Sequence, residues 1–585
     1  MGDKLRYKSL NVLIVVTIAV IFGLQWIAVS RQSLTGDGAH HLVAGYQSVR
    51  YGQNLINLEH PPLVKLIAAI PLLFEPEEIQ PPIRVQQWRT TLNQLHTNRD
   101  LLRRATIRSR LMVLIIIVLP MFLVIWALGN RFSPNTGFVV AAAFGLSFTF
   151  VGNFTILQTD AACTLGFALV ILAAIRFQKL PSWQAAVALG LASSFALNAK
   201  FTGVLLGPTV LMAILAANYS ERRWSKIGIH LIIVGGLSIT GIVFVYSVAN
   251  WNYDKAAGRE VIRDYCRNHS NSLLVGDHLK AYETMLLGIE DVQPGLAQWA
   301  TGLFGLRAQN AQAIYPCYAL GEVTSYGRWW YFPLLLAVKL PFAIWIVFLA
   351  AGVLAFKGVF HGEPIIKETN RWRIYLILLT VIVYLAATIP SNTNLGVRHM
   401  MPIVPLLYIL TSIGVKESRR SLWAPWVLIA VLAVESLMLT PIWMSATNMW
   451  WLGDKNITKH WFGAGNLEFR QNFIELERQL SSRGIRHIGV LYLAIEAEIV
   501  QVYIPDAWMV TAEKSILPGW YVVNTITEQL VPAFEKAAPE SLNGHSAYLA
   551  IAANNRPLWD AIRKGRDYGY IAGTFHLYRV CVEDG

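Results

Sequence analysis

What most constrains this chain is a succession of long apolar segments. Reading windows of about 17–25 apolar residues as membrane helices places spans near 11–30, 110–129, 136–153, 160–177, 183–199, 201–218, 227–249, 330–356, 372–390, 399–415 and 422–446. Composition agrees: 54% of the 585 residues are hydrophobic and 15% are charged, against about 25% charged in a soluble domain. The formal charge of +13 invites a nucleic-acid partner. Membrane proteins collect Lys and Arg for topological reasons, so none is expected here. "KLRYK" precedes the first span and no small-residue cleavage site follows it, which marks a retained anchor rather than a removed signal.

Short loops set the orientation, because Lys and Arg accumulate on the inner side. With the N-terminus inside, the inner loops hold Arg131, Arg176, Lys179, Arg222, Arg223, Lys226, Lys357, Lys367, Arg371, Arg373, Lys416, Arg419 and Arg420. The short outer turns hold only Lys200 and Arg398. The two short spans flanking Lys200 matter most, since reading them as one would invert everything downstream. Three large pieces then lie outside: residues 31–109, residues 250–329 and a tail from 447. The chain divides into a membrane domain over 1–446 and an extracytoplasmic domain over 447–585. The tail joins strand-like runs, "IRHIGVLYL", "GWYVVNT", "SAYLAIAA" and "YIAGTFHLYRV", to helical "RQNFIELERQLSSR", the pattern of a small α/β domain. Cys266 and Cys317 share one outer loop and are a candidate disulfide in an oxidising compartment. Cys163 falls within a span.

The polar residues concentrate beside the outer ends of spans. Asp37, in "GDGAHHLVAGYQSV", is placed to act as a general base, although a helix N-cap would look the same. In "NLEHPPL" the Pro-Pro pair fixes an extended entry into the next helix, giving Glu59 and His60 a rigid mount. A Glu–His pair suits a divalent metal, but two ligands are too few, and a structural hydrogen-bonding role competes. Asp160 opens the fourth span in "ILQTDAACTLGF"; acidic groups there are costly and tend to be functional. Lys200, Lys339 and Arg398 form a cationic set suited to a phosphate, each alternatively a snorkelling side chain. The amphipathic runs from about 80 to 108, with Arg99, Arg103, Arg104 and Arg108, are expected on the outer membrane surface near lipid headgroups, a solvated helix face being the alternative.

Several motifs occur in a telling order: an acidic residue after the first span, "N-x-E-H-P-P-L-x-K" at 57–65, Asp160, "K-F-T" at 200–202, "LGE…WWYFP…K-x-P" through Glu322 and Lys339, and "G-x-R-H-x-x-P-x-x-P" at 396–405. With "GNLEFRQNFIELERQL" at 465–480, the chain resembles the bacterial branch of the dolichyl-phosphate-mannose protein mannosyltransferase family, the GT-C glycosyltransferases. The resemblance implies a polytopic α-helical membrane protein of GT-C type, with about eleven transmembrane helices and a C-terminal soluble α/β domain. It further implies a polyprenyl-phosphate sugar donor, mannose favoured, used on the outer face of the plasma membrane against a protein, lipid or glycan hydroxyl. Asp37 takes the family's base position and Asp160 positions it. Lys200, Lys339 and Arg398 are expected on the donor phosphate, with His40, Glu59, His60, Glu322 and His399 shaping the site. No cofactor is required, with a divalent metal at Glu59 and His60 the open variant. Two departures stand out: Gly38 where relatives carry Glu, and Glu468-Phe469-Arg470-Gln471 where they carry Asp-Trp-Gly-Gln. A secondary transporter or a non-catalytic glycolipid-binding homologue are the competing readings; the first predicts repeats and midplane charges, which this sequence lacks.

Overall fold

The computed structural model describes residues 2–75, 95–219, 224–268, 275–360, 370–414, 423–448, 461–463, 465–493, 495–512, 516–542 and 546–581. The inner-loop residues Arg222, Arg223, Lys367, Lys416, Arg419 and Arg420, and the segment 80–94 expected at the membrane surface, lie outside these.

Each of the apolar segments contains a helix. By length and composition six helices can cross a membrane: Val12–Arg31, Arg99–Gly129, Asp160–Lys179, Phe201–Asn218, Trp224–Ala249 and Arg371–Thr388. Two further spans are bent pairs, Asn135–Leu146 with Phe148–Phe154 at 76° and Tyr331–Lys339 with Phe342–Phe356 at 109°. Pro341 explains the second bend, because it lacks an N–H and holds Leu340 extended (φ −66°, ψ 141°). The remaining segments form shorter helices, Trp183–Ala199, Val404–Gly414 and Ala424–Met438. Lys200 is extended (φ −159°, ψ 146°), so the chain between 183 and 218 is two helices and not one.

Two polar-rich segments pack against the ends of this bundle. Gly36–Tyr51 lies so close to Leu63–Ala69 that a Cβ on Gly45 would come 2.1 Å from the Lys65 carbonyl oxygen. Only glycine permits that approach, and it clamps "NLEHPPL" beside the Asp37 helix. The helices of residues 255–311 attach through amides: Asn54 Nδ2 and Asn250 Nδ2 both donate to Gln298 Oε1, at 3.0 and 2.8 Å. Cys266 and Cys317 are free thiols, so the candidate disulfide is not formed. Cys266 is enclosed instead by Ile262, Leu286 and Ala297. Arg104 and Arg108 close on Glu75 (3.1 and 2.6 Å).

The tail builds a five-stranded sheet in the order β4-β3-β5-β7-β6, from β3 (Ile488–Leu491), β4 (Ala507–Met509), β5 (Gly519–Asn524), β6 (Arg566–Ile571) and β7 (Phe575–Val580). β3 runs parallel to both neighbours, whereas β7 is antiparallel to β5 and β6. A two-stranded hairpin, β1 (Cys317–Ala319) and β2 (Glu322–Thr324), stands apart from it. Two expectations need correction. "SAYLAIAA" opens the helix Ser546–Arg563, since an Ala-rich run with no glycine or proline favours helix over strand. "YIAGTFHLYRV" is a hairpin, turned by Ala572 (φ 49°) and Gly573 (φ 77°).

Candidate active site

Asp37 occupies the first turn of Gly36–Tyr51, whose N-cap is Thr35: its Oγ1 accepts the Gly38 amide at 3.2 Å. The capping role belongs to Thr35, which leaves the Asp37 carboxylate free to point elsewhere. A Cβ on Gly38 would lie 2.7 Å from Thr35 Oγ1 and 3.3 Å from Leu34 Cδ1. Any side chain at 38 would press into this cap. The Gln32 and Ser33 carbonyls just before it accept the two ends of the buried Arg110 guanidinium (2.5 and 2.8 Å).

The Asp37 Oδ2 accepts from Arg398 Nη2 at 3.1 Å and from Gln158 Nε2 at 3.3 Å. Arg398 sits on a 3₁₀ turn, Val397–Met400. Its Nε lies 4.0 Å from Asp160 Oδ2 and donates to no group among the described residues. Asp160 in turn takes Lys200 Nζ on Oδ1 at 2.6 Å. The result is one row of alternating charge, Asp37–Arg398–Asp160–Lys200. Three members are nearly buried, while the Asp37 side chain is 40% exposed. Buried opposite charges in contact hold one another in place. Thus the row has a fixed, dry end and one accessible carboxylate.

Histidines line this row. His41 and His60 lie 4.8 Å apart, ring to ring. Burial above all, then His60 and nearby cations for His41 and the nearby cations Lys200 and Lys65 for His60, lowers both well below the usual imidazole range. His40 is lowered less, because Asp37 opposes its burial. Glu59 Oε1 accepts from Gln309 Nε2 at 3.2 Å. Among the described residues no group of three or more His, Cys, Asp or Glu could hold a metal ion.

Two expected members stand elsewhere. Lys339 Nζ donates to three backbone carbonyls, Met444 at 2.8 Å, Ala446 at 2.8 Å and Asn466 at 2.6 Å. An ammonium has three N–H donors, so none is left for a phosphate in this arrangement. Glu322 is exposed on β2 and pairs with Arg328 at 2.7 Å. The structure also adds residues. The segment 465–473 is stitched to the start of the Asp37 helix: Ser33 N donates to the Gln471 carbonyl (2.9 Å), Ser33 Oγ to the Arg470 carbonyl (2.6 Å), and Phe473 N to Ser33 Oγ (3.0 Å). Phe469 lies under the guanidinium of Arg398, 4.7 Å from Cζ to ring centroid. Arg470, in the left-handed region (φ 70°), brings its side chain against Gly36.

Glu468 holds that turn. Its Oε1 accepts the Arg470 amide at 2.6 Å, and its Oε2 accepts the Thr574 hydroxyl from the β6–β7 turn. Burial pushes this carboxyl up to about 7, against the opposing hydrogen bonds from Thr574 and the Arg470 amide and the Arg470 charge. Gln158, Phe469 and Arg470 carry no signal of their own in the sequence. The family-like segment at 465–480 was the one pointer, and it did not say where the segment would land.

With this geometry in place, comparison with known proteins becomes informative. Residues 101–246 match the dolichyl-phosphate-mannose-protein mannosyltransferase family. The matched stretch contains Asp160 and Lys200 and excludes Asp37 and Arg398. Among solved structures, ArnT from Cupriavidus metallidurans bound to undecaprenyl phosphate is similar at 12% identity, with a TM-score of 0.29 over 97% of this chain and 98% of that one. The Archaeoglobus fulgidus oligosaccharyltransferase in its apo form shares 10% identity, with a TM-score of 0.40 over 91% of this chain and 72% of that one. No curated protein matches the chain.

Proposed function

We propose that this protein is an inverting glycosyltransferase that moves a single sugar, mannose favoured, from a polyprenyl-phosphate donor to a hydroxyl acceptor. The work takes place on the outer face of the plasma membrane, with the N-terminus and the Lys- and Arg-rich loops inside and the C-terminal domain outside. The observation that carries the reading is the charge row with Asp37 at its open end. The family match over residues 101–246 supports it.

The chemistry follows from what each group can do. The acceptor oxygen attacks the anomeric carbon from the face opposite the phosphate, and Asp37 takes the acceptor proton. The anomeric C–O bond breaks, and its electron pair leaves with the lipid phosphate. A phosphate is already a stable anion and needs no general acid, unlike the alkoxide a glycosidase must protonate. It does need positive charge, which Arg398 and Lys200 supply. Asp160 keeps both cations aimed while the site is empty. No step calls for a metal.

The test is direct. Purified protein in lipid is given a panel of polyprenyl-phosphate sugars with candidate acceptors, and release of free lipid phosphate is measured for wild type and Asp37→Asn. Release from one donor, lost in the variant, is the expected result. No release from any donor, or full release by the variant, would refute the assignment.

A further inference from the structure

The C-terminal sheet carries a second charged constellation that the transfer reaction does not use. Trp520 on β5, Arg579 on β7 and Arg566 on β6 are consecutive cross-strand partners. Tyr568, two residues beyond Arg566, meets Trp520 with ring centroids 4.8 Å apart. The Arg579 guanidinium lies over Trp520 and that of Arg566 over Tyr568, each with Cζ 5.3 Å from the ring centroid. Neither arginine has a carboxylate within salt-bridge distance among the described residues, and both are exposed. Like charges directly opposite on a sheet are destabilising, so the sheet by itself gives no reason for this pairing.

Its position narrows the partner. Near the β6–β7 turn the same sheet face joins one apolar core with the helix Phe473–Ser482, through Val522, Leu577 and Leu476. That turn touches the bundle, where Gly573 faces Ile442. Arg566 and Arg579 lie at the opposite end of these strands, roughly 15–20 Å away at the usual rise per residue. This end of the sheet therefore points away from the bundle and toward water.

We infer that the Trp520–Tyr568–Arg566–Arg579 patch is a binding site for an acidic glycan. A guanidinium over an aromatic ring is drawn to it by cation–π attraction, and its planar fork of N–H donors can grip a carboxylate or phosphate in bidentate fashion. The aromatic surface beside the two arginines suits the C–H faces of a sugar. Two cations about one strand spacing apart match acidic groups on one or two adjoining sugar units. The inference stands independently of the transfer reaction, because binding is read without turnover.

Full-length protein in neutral-lipid nanodiscs is titrated with an oligogalacturonate, a maltooligosaccharide of equal length and poly-glutamate, and followed by calorimetry. The acidic saccharide is expected to bind about tenfold or more tightly than either other probe. Arg566→Gln with Arg579→Gln abolishes that preference. Arg566→Lys with Arg579→Lys keeps the charge, loses the fork and retains only part of it. Equal binding of the neutral saccharide overturns the inference, as does equal binding of poly-glutamate or an unchanged preference in the double Gln variant. Lipid-phosphate release by the same variants is measured alongside and is expected to persist with a small acceptor. Its loss in wild type would concern the transfer reading alone.

Discussion

Two buried lysines look alike in sequence and differ in what they can do. Lys200 and Lys339 each follow a run of apolar residues, and they are 9% and 1% exposed. Lys200 faces one carboxylate, Asp160, in a row that reaches the surface at Asp37. A phosphate arriving there exchanges one anion for another. Lys339 is wrapped by the carbonyls of residues 444, 446 and 466, which tie the bent pair at Pro341 to the chain leading into the C-terminal domain. A buried cation is open to a ligand when its partner can be replaced, and structural when backbone encloses it.

The strongest challenge to this contrast lies at the open end of the row. Asp37→Asn keeps the shape and removes the proposed base, and transfer is expected to fall by about a thousandfold, within the range of general-base effects, with the thermal midpoint unchanged. A variant that retains a tenth of the activity would move the proton acceptor elsewhere. Next come the lysines compared with each other. Lys200→Gln is expected to raise the donor KM and slow transfer by about a hundredfold while the protein still folds, since Arg398 remains beside Asp160. Lys339→Met strands three carbonyls and is expected to cost about 3 kcal/mol of stability or more, with the donor KM unchanged in whatever protein folds. If Lys339→Met instead folds normally and binds donor poorly, the contrast fails.

The join between the two regions responds to pH. Glu468 is raised from 4.5 to about 7 in the folded protein, so the folded state binds the proton more tightly than the unfolded chain. Its contribution is fully present below about pH 4.5 and is lost as pH rises through about 7. The thermal midpoint should therefore decline across that window, and Glu468→Gln should flatten the decline. An identical pH profile for wild type and variant would show that this carboxyl titrates as it does in the unfolded chain.

The helices were legible because apolar run length and flanking charge are local properties; the bend at Pro341, inside the single span read at 330–356, emerged only in the structure. Asp37, Asp160, Lys200 and Arg398 were legible as residue types at the ends of spans. Their meeting was not, since Arg398 is 361 positions from Asp37 and no local pattern encodes that distance. The contacts of Lys339 and Glu322 were not legible for the same reason: a lone cation or carboxylate does not reveal whether a carbonyl, an arginine or a ligand will face it. The tail shows the limit at short range, where a short apolar run such as "SAYLAIAA" can be read as a strand although its alanines favour the helix it forms. By itself, the sequence determined a membrane bundle with a folded tail and the chemical groups it carries. Tertiary structure alone decided which charges touch, because partners are set by the packing of distant segments and burial then fixes which of them stay charged.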